Sequence, residues 1–313
     1  MTELPGSPPA GRPRVSACII AFNEEKKIRR CLESVRWCDE IVVVDSFSTD
    51  RTVEICREYT DHIVQHTWLG YVNQRNLIRE LAQGPWLLYL DADEEVSEAL
   101  RDEILERFER GVGEVVGFEF PRMVYYLGRW IRHGEWYPDR KLRLFRKDCG
   151  RTEGEEPHDR VVVHGRVERL RNPIFHYTYD NLEDHLRTVN RFSTIAARRA
   201  YVNGKRFHLR DFLLHPPFRF LKAYLLRLGF LDGFHGLLIA TISAFASAVK
   251  YAKLWELHRM ACPDWRAWPE QPPKSFQGKG VLSLEEDGNE NLSDRRGRQA
   301  RLRDSNGVAS GRP

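Results

Sequence analysis

Residues 86–95, WLLYLDADEE, end an apolar run abruptly in four carboxylates within five residues. A short apolar run bounded by polar residues predicts a buried strand over residues 87–90. Alternate residues of an extended segment face the same way, so Asp91 and Asp93 can face one ligand at the end of that strand. Hard divalent cations favour one or two carboxylates together with substrate phosphates. The stretch therefore predicts a cation site for a diphosphate compound.

The chain around this stretch alternates strands with helices. Residues 15–21 and 41–44 predict two further strands, and residues 62–66 predict a weaker one. Apolar residues at helical spacing follow each strand. The polar residues expected to cap these helices are Asn23, one of Ser48, Thr49 and Asp50, and then Ser97. This order predicts an α/β fold, with a mostly parallel central sheet flanked by helices.

The pattern changes after about residue 110. Strands are predicted over residues 115–120, 141–145 and 160–167, then a helix over 182–202 and a long apolar, aromatic and basic helical region over 211–260. The parts that we expect are a flexible N-terminus (1–13), a catalytic domain (14–205), a helical region that associates with a membrane (206–262) and a disordered polar tail (263–313).

Composition sets wide limits on the number of domains, the partners and the compartment of the protein. The 313 residues are 42% hydrophobic and 30% charged, enough for one large domain with an appendage. A net charge of +4 is compatible with an anionic membrane or anionic substrates. The arginines of residues 294–303 are mixed with acids and lack aromatic neighbours, so no nucleic-acid partner is expected. Six cysteines without a CxxC pattern indicate reduced thiols in a cytoplasmic protein, and residues 1–13 lack the apolar core of a signal peptide.

Acids follow three of the predicted strands. Glu24 comes just after the first, Asp45 ends the second, and Asp91 and Asp93 follow the fourth. Ligands of open α/β sheets bind at the carboxyl ends of the strands, so these acids are expected in one crevice. A single acid at such a place often only caps a helix. The set as a whole favours a site.

Glycine-rich phosphate loops are missing from the sequence. No GxGxxG follows the first strand and no GxxxxGK[ST] occurs, which counts against Rossmann dehydrogenases and P-loop NTPases. FNEE stands where a nucleotidyltransferase would have a glycine-rich loop with a lysine. Bound phosphates would therefore need a metal ion and side-chain cations.

An ordered series of motifs resembles the inverting family 2 glycosyltransferases, which have a GT-A fold. The series is IIAFNEE (19–25), IVVVDSFSTDRT (41–52), NQRN (73–76) and LLYLDADEE (87–95). The later segments GEWYPDRKLRLFRK (134–147), EPHD (156–159), IFHYTY (174–179) and FLKAYLLRLGFLDGFHG (220–236) are similar to bacterial lipopolysaccharide-core glucosyltransferases. The resemblance covers about residues 15–260. An acidic DxD triplet alone arises by chance, whereas the ordered series is specific.

The resemblance implies roles for residues around the donor. Asp45 would bind the base or ribose, Arg75 would approach the donor, and Asp91 would lie near ribose and metal. Mg²⁺ or Mn²⁺ would be held by Asp91, Asp93 and His176, the imidazole favouring Mn²⁺, although a histidine among aromatics is as often a packed structural residue. Further residues of the donor pocket would be Ala21, Phe22, Asn23, Glu24 and Ala92. Lys141 and Arg143 could contact the diphosphate, an anionic acceptor or only solvent.

Two further roles concern the acceptor. Asp159 is the expected general base, with Asp139 as the alternative; Asp139 is also typical of a turn after proline, and Glu155 and Glu156 lie close enough to Asp159 to confuse the assignment. The expected aromatic platform for an acceptor sugar is Trp130, Trp136 and Tyr137, for which a role in the core is equally economical. Glu94 and Glu95 are expected to cap or orient the next segment.

The C-terminal region predicts membrane attachment. Apolar and basic residues alternate over residues 218–228 as in an interfacial amphipathic helix. The apolar run over residues 237–249 is shorter than the roughly 20 residues that span a bilayer. We expect a peripheral enzyme on the cytosolic face of the inner membrane, the alternative being a helical subdomain packed on the catalytic domain.

The resemblance implies a metal-dependent transfer of a hexose to a lipid-linked saccharide. The first expectation is glucose from UDP-glucose, with lipopolysaccharide inner core as the acceptor. The alternatives are a glycosyltransferase for another cell-envelope or exopolysaccharide glycan, and a catalytically inactive, membrane-attached scaffold of the same fold.

Overall fold

The computed structural model describes residues 12–154 and 159–259. The predicted disordered tail lies outside the described residues, and so does the predicted flexible N-terminus except for Arg12 and Pro13. Glu155 and Glu156, the acids beside the expected base, also lie outside them.

Twelve strands and seven α-helices form within the described residues. The strands are β1 (Val15–Ala21), β2 (Glu40–Asp45), β3 (Ile63–Gln65), β4 (Trp86–Asp91), β5 (Glu94–Val96), β6 (Val115–Tyr126), β7 (Arg129–Trp130), β8 (Asp139–Arg146), β9 (Gly150–Glu153), β10 (Arg160–Val163), β11 (Arg166–Arg169) and β12 (Ile174–His176). The helices are α1 (Ile28–Ser34), α2 (Thr52–Cys56), α3 (Tyr71–Leu81), α4 (Glu98–Glu109), α5 (Leu182–Val202), α6 (Leu209–Leu221) and α7 (Gly233–Arg259).

One large sheet organises the molecule. Its strands pair in the order β3–β2–β1–β4–β8–β6–β12–β5. Strands β1 to β4 run parallel, and β8 lies antiparallel between β4 and β6. Beyond β8, β6 pairs in parallel with β12, which turns back against β5. The predicted α/β fold with a mostly parallel sheet and flanking helices is confirmed.

Strand β1 is buried on both faces. Val15 and Ile19 join an apolar cluster with α1 and α4, whereas Cys18 and Ile20 join a second cluster with α3. An unbroken apolar run, rather than an alternating one, is typical of a parallel strand covered on both sides. The central strands therefore present only their carboxyl ends to solvent, and polar side chains can gather there.

The predicted cap at Asn23 is wrong. Helix α1 begins at Ile28 and has no side-chain cap, while Asn23 adopts a positive φ of 53° and accepts a hydrogen bond from the Thr49 amide at 2.8 Å. Asparagine tolerates the left-handed region better than most residues, which suits it to this turn. The Ser97 cap is confirmed, because its side chain accepts from the Leu100 amide.

The β segment predicted over residues 160–167 is two strands. It breaks at Gly165, whose φ of +142° is a conformation that other residues rarely adopt. Strand β10 pairs with β9 in a separate hairpin, and β11 pairs with β6 of the main sheet. The break places the start of β10, next to Asp159, near the carboxyl end of the sheet.

The C-terminal helices pack on the domain through one face only. Ile239 of α7 joins an apolar cluster with Val124 and Tyr126, and Tyr251 and Leu254 join another with α5. Helix α6 has no buried residue. The helical stretch Gly229–Arg259 is long and apolar enough to cross a membrane, by length and composition alone, and core helices of soluble proteins meet the same criterion. The apolar run expected to be too short to span thus lies within a longer helix.

Candidate active site

A cavity of about 970 Å³ opens at the carboxyl ends of β1 and β4. The predicted site residues that line it are Ala21, Phe22, Asn23, Glu24, Arg75, Asp91, Ala92, Asp93, Lys141, Arg143, Asp159 and His176. These residues come from positions 21 to 176 of the chain, and the sheet order brings them together. The predicted residues that do not line it are Asp45, Trp130, Trp136, Tyr137 and Asp139.

Asp91 is held by two arginines. Arg75 Nη2 donates to Asp91 Oδ1 at 2.9 Å, and Arg143 Nη2 donates to Asp91 Oδ2 at 2.9 Å. Burial opposes ionisation of Asp91, but the charges of Arg143 and Arg75 outweigh it and hold the pKa of this carboxyl well below its ordinary value. Asp91 is therefore a carboxylate whose oxygens already have cationic partners.

Asp93 has a different partner. His176 Nε2 lies 3.3 Å from Asp93 Oδ2, and the Tyr177 amide donates to the Asp93 carbonyl at 3.0 Å. Pairing of β12 with β5 produces this approach, because His176 is opposite Glu94 in the register. Burial opposes ionisation of Asp93, but nearby His176 more than compensates, so its pKa lies below the ordinary value.

Asp93 and His176 fit a divalent cation better than the predicted triad does. The predicted third ligand, Asp91, is taken up by Arg75 and Arg143, and no three His, Cys, Asp or Glu side chains within the described residues are placed to hold an ion together. One carboxylate and one imidazole leave the other coordination positions to substrate phosphates and water, as is common for Mg²⁺ and Mn²⁺. Nε2 is the ring nitrogen of His176 that lies beside Asp93, whereas the buried Nδ1 has no hydrogen-bond partner among the described residues.

Glu24 is a further acid in the same part of the cavity. Burial and repulsion by Asp93 raise its pKa to about 8. Lys27 lies 3.2 Å from Asp180. Burial lowers the pKa of Lys27, but the negative charges of Asp93, Glu24 and Asp180 outweigh burial and raise it above the ordinary value. A cation bound near Asp93 would relieve the repulsion that raises the pKa of Glu24.

Arg75 joins the DxD motif to the expected base. Its Nη1 donates to Asp159 Oδ2 at 2.8 Å while its Nη2 contacts Asp91. The Tyr89 hydroxyl donates to the Arg75 carbonyl at 2.8 Å and fixes that part of α3 over β4. One guanidinium therefore sets the spacing of two carboxylates that are 68 positions apart in the chain. The alternative base, Asp139, pairs instead with Arg122 at 2.6 Å and Lys141 at 3.1 Å.

Glu94 does more than orient the next segment. It is almost completely buried, accepts from the Asp91 amide at 3.0 Å and pairs with Arg143 at 3.1 Å. Glu95 accepts from the Tyr177 hydroxyl at 2.8 Å. Both glutamates thus hold the turn that carries Asp91 and Asp93, a role that the tandem acids in the sequence left open.

Asp45 supports a loop instead of facing the cavity. It is fully buried, accepts from the Ser48 amide at 2.9 Å and accepts from Gln65 Nε2 at 3.0 Å. Its position at the carboxyl end of β2 agrees with the sequence prediction. Its carboxylate, however, is used to shape the loop between β2 and α2.

The predicted aromatic platform does not line the cavity either. Trp136 packs edge-on against Tyr126 at a centroid distance of 5.0 Å, and Trp130 packs on Phe175 at 4.5 Å. These contacts match the alternative of a role in the core. The aromatics that do line the cavity are Phe22, Trp68, Tyr71, Tyr179 and Phe192.

The sequence analysis missed the cavity residues that β6, β8 and α5 contribute. Arg122 and Arg140 line the cavity, and so do five residues of α5: Asp184, Thr188, Arg191, Phe192 and Ile195. Their spacing of four, three, one and three places them on one helical face. That periodicity was a readable signal for a polar face turned inward.

Comparison with known proteins identifies the family. The model of glycosyl transferase family 2 matches residues 16–199, more than half of the chain. The chain belongs to glycosyl transferase family 2. The lipopolysaccharide core biosynthesis glycosyltransferase LpsC of Rhizobium meliloti (strain 1021) is 32% identical over 257 residues, which cover 79% of this chain and 93% of that protein. An uncharacterized glycosyltransferase of Rickettsia typhi is 31% identical over 255 residues, 78% of this chain and 87% of its own.

The matches to solved structures are more distant. S. aureus TarS 1–349 in complex with UDP-GlcNAc matches with a TM-score of 0.42 and 15% identity, over 79% of this chain and 92% of that chain. Glucosyl-3-phosphoglycerate synthase from Mycobacterium tuberculosis with Mn²⁺ and UDP-glucose matches with a TM-score of 0.30 and 21% identity, over 37% and 45%. The match to the family 2 model and the similarity to LpsC make this protein a glycosyltransferase of the GT-A fold, similar to an enzyme of lipopolysaccharide core biosynthesis.

Proposed function

We propose that this glycosyltransferase transfers a hexose, with inversion, from a nucleotide sugar to a lipid-linked saccharide. UDP-glucose is the first choice of donor and lipopolysaccharide inner core is the first choice of acceptor. The observation that carries the proposal is the convergence of Asp93, His176, Arg75 and Asp159 on one cavity at the carboxyl end of the sheet. The similarity to LpsC, named for lipopolysaccharide core biosynthesis, supports the acceptor class.

The donor would occupy the side of the cavity formed by the end of β1 and by α3. Residues 21–24 line this side, and Trp68 and Tyr71 supply aromatic surface for a nucleotide base. Lys141 and Arg143 line the floor near the DxD motif, where a diphosphate would lie. Arg143 is already paired with Asp91 and Glu94, so Lys141, which is about two-fifths exposed, is the more available phosphate contact.

Asp93 and His176 would hold Mg²⁺ or Mn²⁺ beside the diphosphate. When bound, such an ion acts as a Lewis acid that neutralises the charge developing on the leaving group. Asp91 would act indirectly, by fixing Arg75 and Arg143 around the cavity.

Asp159 is the proposed general base. In a single displacement, a carboxylate accepts the proton of the acceptor hydroxyl while that oxygen attacks the anomeric carbon. One oxygen of Asp159 accepts a hydrogen bond from Arg75, which orients the carboxylate and leaves the other oxygen for the acceptor. Asp139, bound to both Arg122 and Lys141 and absent from the cavity wall, is the weaker choice.

Membrane attachment would use the face of α6 and α7 that does not pack on the domain. Leu213, Leu214 and Phe218 of α6 are each more than half exposed, and Arg210 and Arg219 lie among them. Apolar side chains interspersed with arginines suit the headgroup region of an anionic bilayer. We propose peripheral attachment to the cytosolic face of the inner membrane, with the acceptor's lipid remaining in the bilayer.

A donor screen tests the proposed activity. Purified full-length protein is incubated with UDP-, GDP- and dTDP-sugars in the presence of Mg²⁺ or Mn²⁺, and nucleotide release and binding are measured. The proposal predicts metal-dependent turnover or binding with at least one UDP-hexose. If no nucleotide sugar is bound or turned over, the inactive scaffold becomes the better account.

A further inference from the structure

Helix α5 forms a wall of the cavity that no role assigned above uses. Thr188, Arg191, Phe192 and Ile195 lie on its inward face and line the same space as Asp93 and His176. Helix α5 follows β12, which lies beyond β8 and β6 from β1 in the sheet. The start of this wall lies beside the loop that follows β1, because Asp180, just before α5, is 3.2 Å from Lys27.

Arg191 is the unusual member of this wall. Among the residues that the structure describes, it has no hydrogen-bond acceptor and no acidic partner, and its buried Nε is unsatisfied. The ring of Phe192 lies beside it, with its centroid 5.2 Å from the guanidinium carbon. A buried guanidinium donor without an acceptor is costly, so this arrangement favours an acceptor from outside the protein.

The other cations of the cavity are arranged differently. The cavity cations that pair with acids of the protein are Lys27, Arg75, Arg122, Lys141 and Arg143. Arg140 donates to the Leu170 carbonyl. Lys26 and Arg160 are exposed to solvent, which satisfies them. Arg143 also has two buried nitrogens without an acceptor, but it is paired with Asp91 and Glu94. Within the described residues, Arg191 is the half-buried cavity cation that has neither an acidic nor a carbonyl partner, which suits it to bind an anion.

The direction of attack in an inverting transfer indicates which substrate, donor or acceptor, would contact this wall. The acceptor hydroxyl must approach the anomeric carbon from the side opposite the leaving diphosphate. With the donor base on the Trp68 and Tyr71 side of the cavity, the space toward α5 would remain for the acceptor. Phe192, whose ring is about two-fifths exposed, offers a flat apolar surface for a sugar ring there.

We infer that Arg191 and Phe192 form an acceptor subsite that binds a saccharide bearing an anionic group, either a phosphate ester or a sugar-acid carboxylate. This inference rests on the proposed glycosyl transfer. The planar guanidinium can give two parallel hydrogen bonds to either anion, and the Phe192 ring beside it can contact the sugar. The subsite selects charged over neutral acceptors and has no part in donor binding.

The test uses full-length protein and deacylated lipopolysaccharide core oligosaccharide as the acceptor probe, in three forms: untreated, dephosphorylated with aqueous hydrogen fluoride, and carboxyl-reduced. Arg191→Gln should raise the acceptor KM for the untreated probe by about tenfold or more, with kcat nearly unchanged. The form on which wild type and variant behave alike identifies the group that Arg191 binds. Arg191→Lys should recover part of the affinity.

Two variants separate this role from a structural one. Arg187→Gln, one turn away and paired with Glu183 at the surface, should change no parameter. Phe192→Ala should weaken the binding of all three forms of the probe equally. The inference is overturned if Arg191→Gln has the same acceptor KM as wild type. It is also overturned if the variant raises the acceptor KM equally for all three forms of the probe.

Failure of the proposed function can be told apart from failure of the subsite. Hydrolysis of the nucleotide sugar without acceptor should be equal in wild type and Arg191→Gln. If wild type neither hydrolyses nor transfers, the proposed function fails, and calorimetric titration with the untreated oligosaccharide still decides the subsite. Equal affinity of wild type and variant in that titration, or no binding by wild type, contradicts it.

Discussion

At the scale of single residues, the two aspartates of the DxD motif have different partners. Asp91 is an anchor for Arg75 and Arg143, whereas Asp93 faces His176 and the cavity. The motif is commonly treated as one unit that binds metal. Here the contacts divide it into a residue that organises the cationic side chains and a residue available to an ion.

Replacing each aspartate should therefore have separate consequences. Asp93→Asn should abolish metal-dependent transfer and leave the thermal midpoint nearly unchanged, since within the described residues the side chain of Asp93 pairs only with a histidine. Asp91→Asn should also destabilise the fold, by on the order of 2 kcal/mol, because the buried Arg143 loses one of its two acidic partners. Thermal denaturation and transfer assays on both variants check this. Equal loss of stability in the two variants would contradict the division.

Asp159→Asn should keep donor binding and lose transfer. The amide cannot accept the hydroxyl proton, and general-base catalysis contributes about 10²–10⁴-fold to the rate. Calorimetric affinity for UDP with Mn²⁺ and the transfer rate are measured on the same preparation. Asp139→Asn is the matched control, because Asp139 carries the same functional group outside the cavity wall. Near-full transfer by Asp159→Asn would move the role of base to Asp139.

At the scale of elements, the exposed face of α6 is the feature that the catalytic domain does not explain. Leu214→Glu with Phe218→Glu should reduce sedimentation with anionic phospholipid vesicles several-fold, because these side chains are 65% and 59% exposed and make no core contact. Val167→Glu, an exposed apolar position on β11, is the control and should sediment like wild type. If the α6 variant sediments as well as wild type does, the helices serve only as a subdomain.

Element prediction worked best where burial is symmetric. The apolar runs at residues 15–21 and 86–91 could be assigned to central strands, because both faces of a parallel strand are covered. The cap at Asn23 failed for a local reason. Asn23 lies in a left-handed turn, and its side chain accepts a hydrogen bond from the Thr49 amide instead of capping the next helix. Such a partner, 26 residues away, leaves no mark in the local pattern.

The sequence could predict which residues at strand ends belong to the site, but not the contacts between site residues that are distant in the sequence. Strand ends located Glu24, Asp91 and Asp93, and all three line the cavity. Asp45 was placed correctly at a strand end, but its orientation depends on the loop that it stabilises. The bridge from Arg75 to Asp159 depends on how the β9–β10 hairpin packs against α3, and the approach of His176 to Asp93 depends on the pairing of β12 with β5. Periodicity reveals neither.

At the scale of the whole molecule, a buried histidine links stability to pH. His185 stacks on Tyr179 at 4.4 Å, and its Nδ1 lies 2.8 Å from the Tyr126 hydroxyl oxygen. Burial lowers the pKa of His185 to about 4. In the unfolded chain its pKa is about 6.5, so the unfolded state binds the proton first as the pH falls.

The free energy of unfolding should consequently fall between about pH 6.5 and pH 4, by on the order of 3 kcal/mol from this group. Above pH 6.5 the group should make no pH-dependent contribution. Urea denaturation at several pH values checks the slope for wild type and for His185→Gln, which does not titrate. The difference between the two proteins should shrink toward low pH, and parallel curves would exclude His185 as the cause.

The central claim is that this cavity transfers a hexose with inversion. Its most direct test is the anomeric configuration of the product, measured by NMR after full-length enzyme, UDP-glucose, Mn²⁺ and core oligosaccharide are incubated together. We predict a β-linked product from the α-linked donor, formed by wild type and not by Asp159→Asn. An α-linked product, or a β-linked product formed at an unchanged rate by Asp159→Asn, would contradict the account.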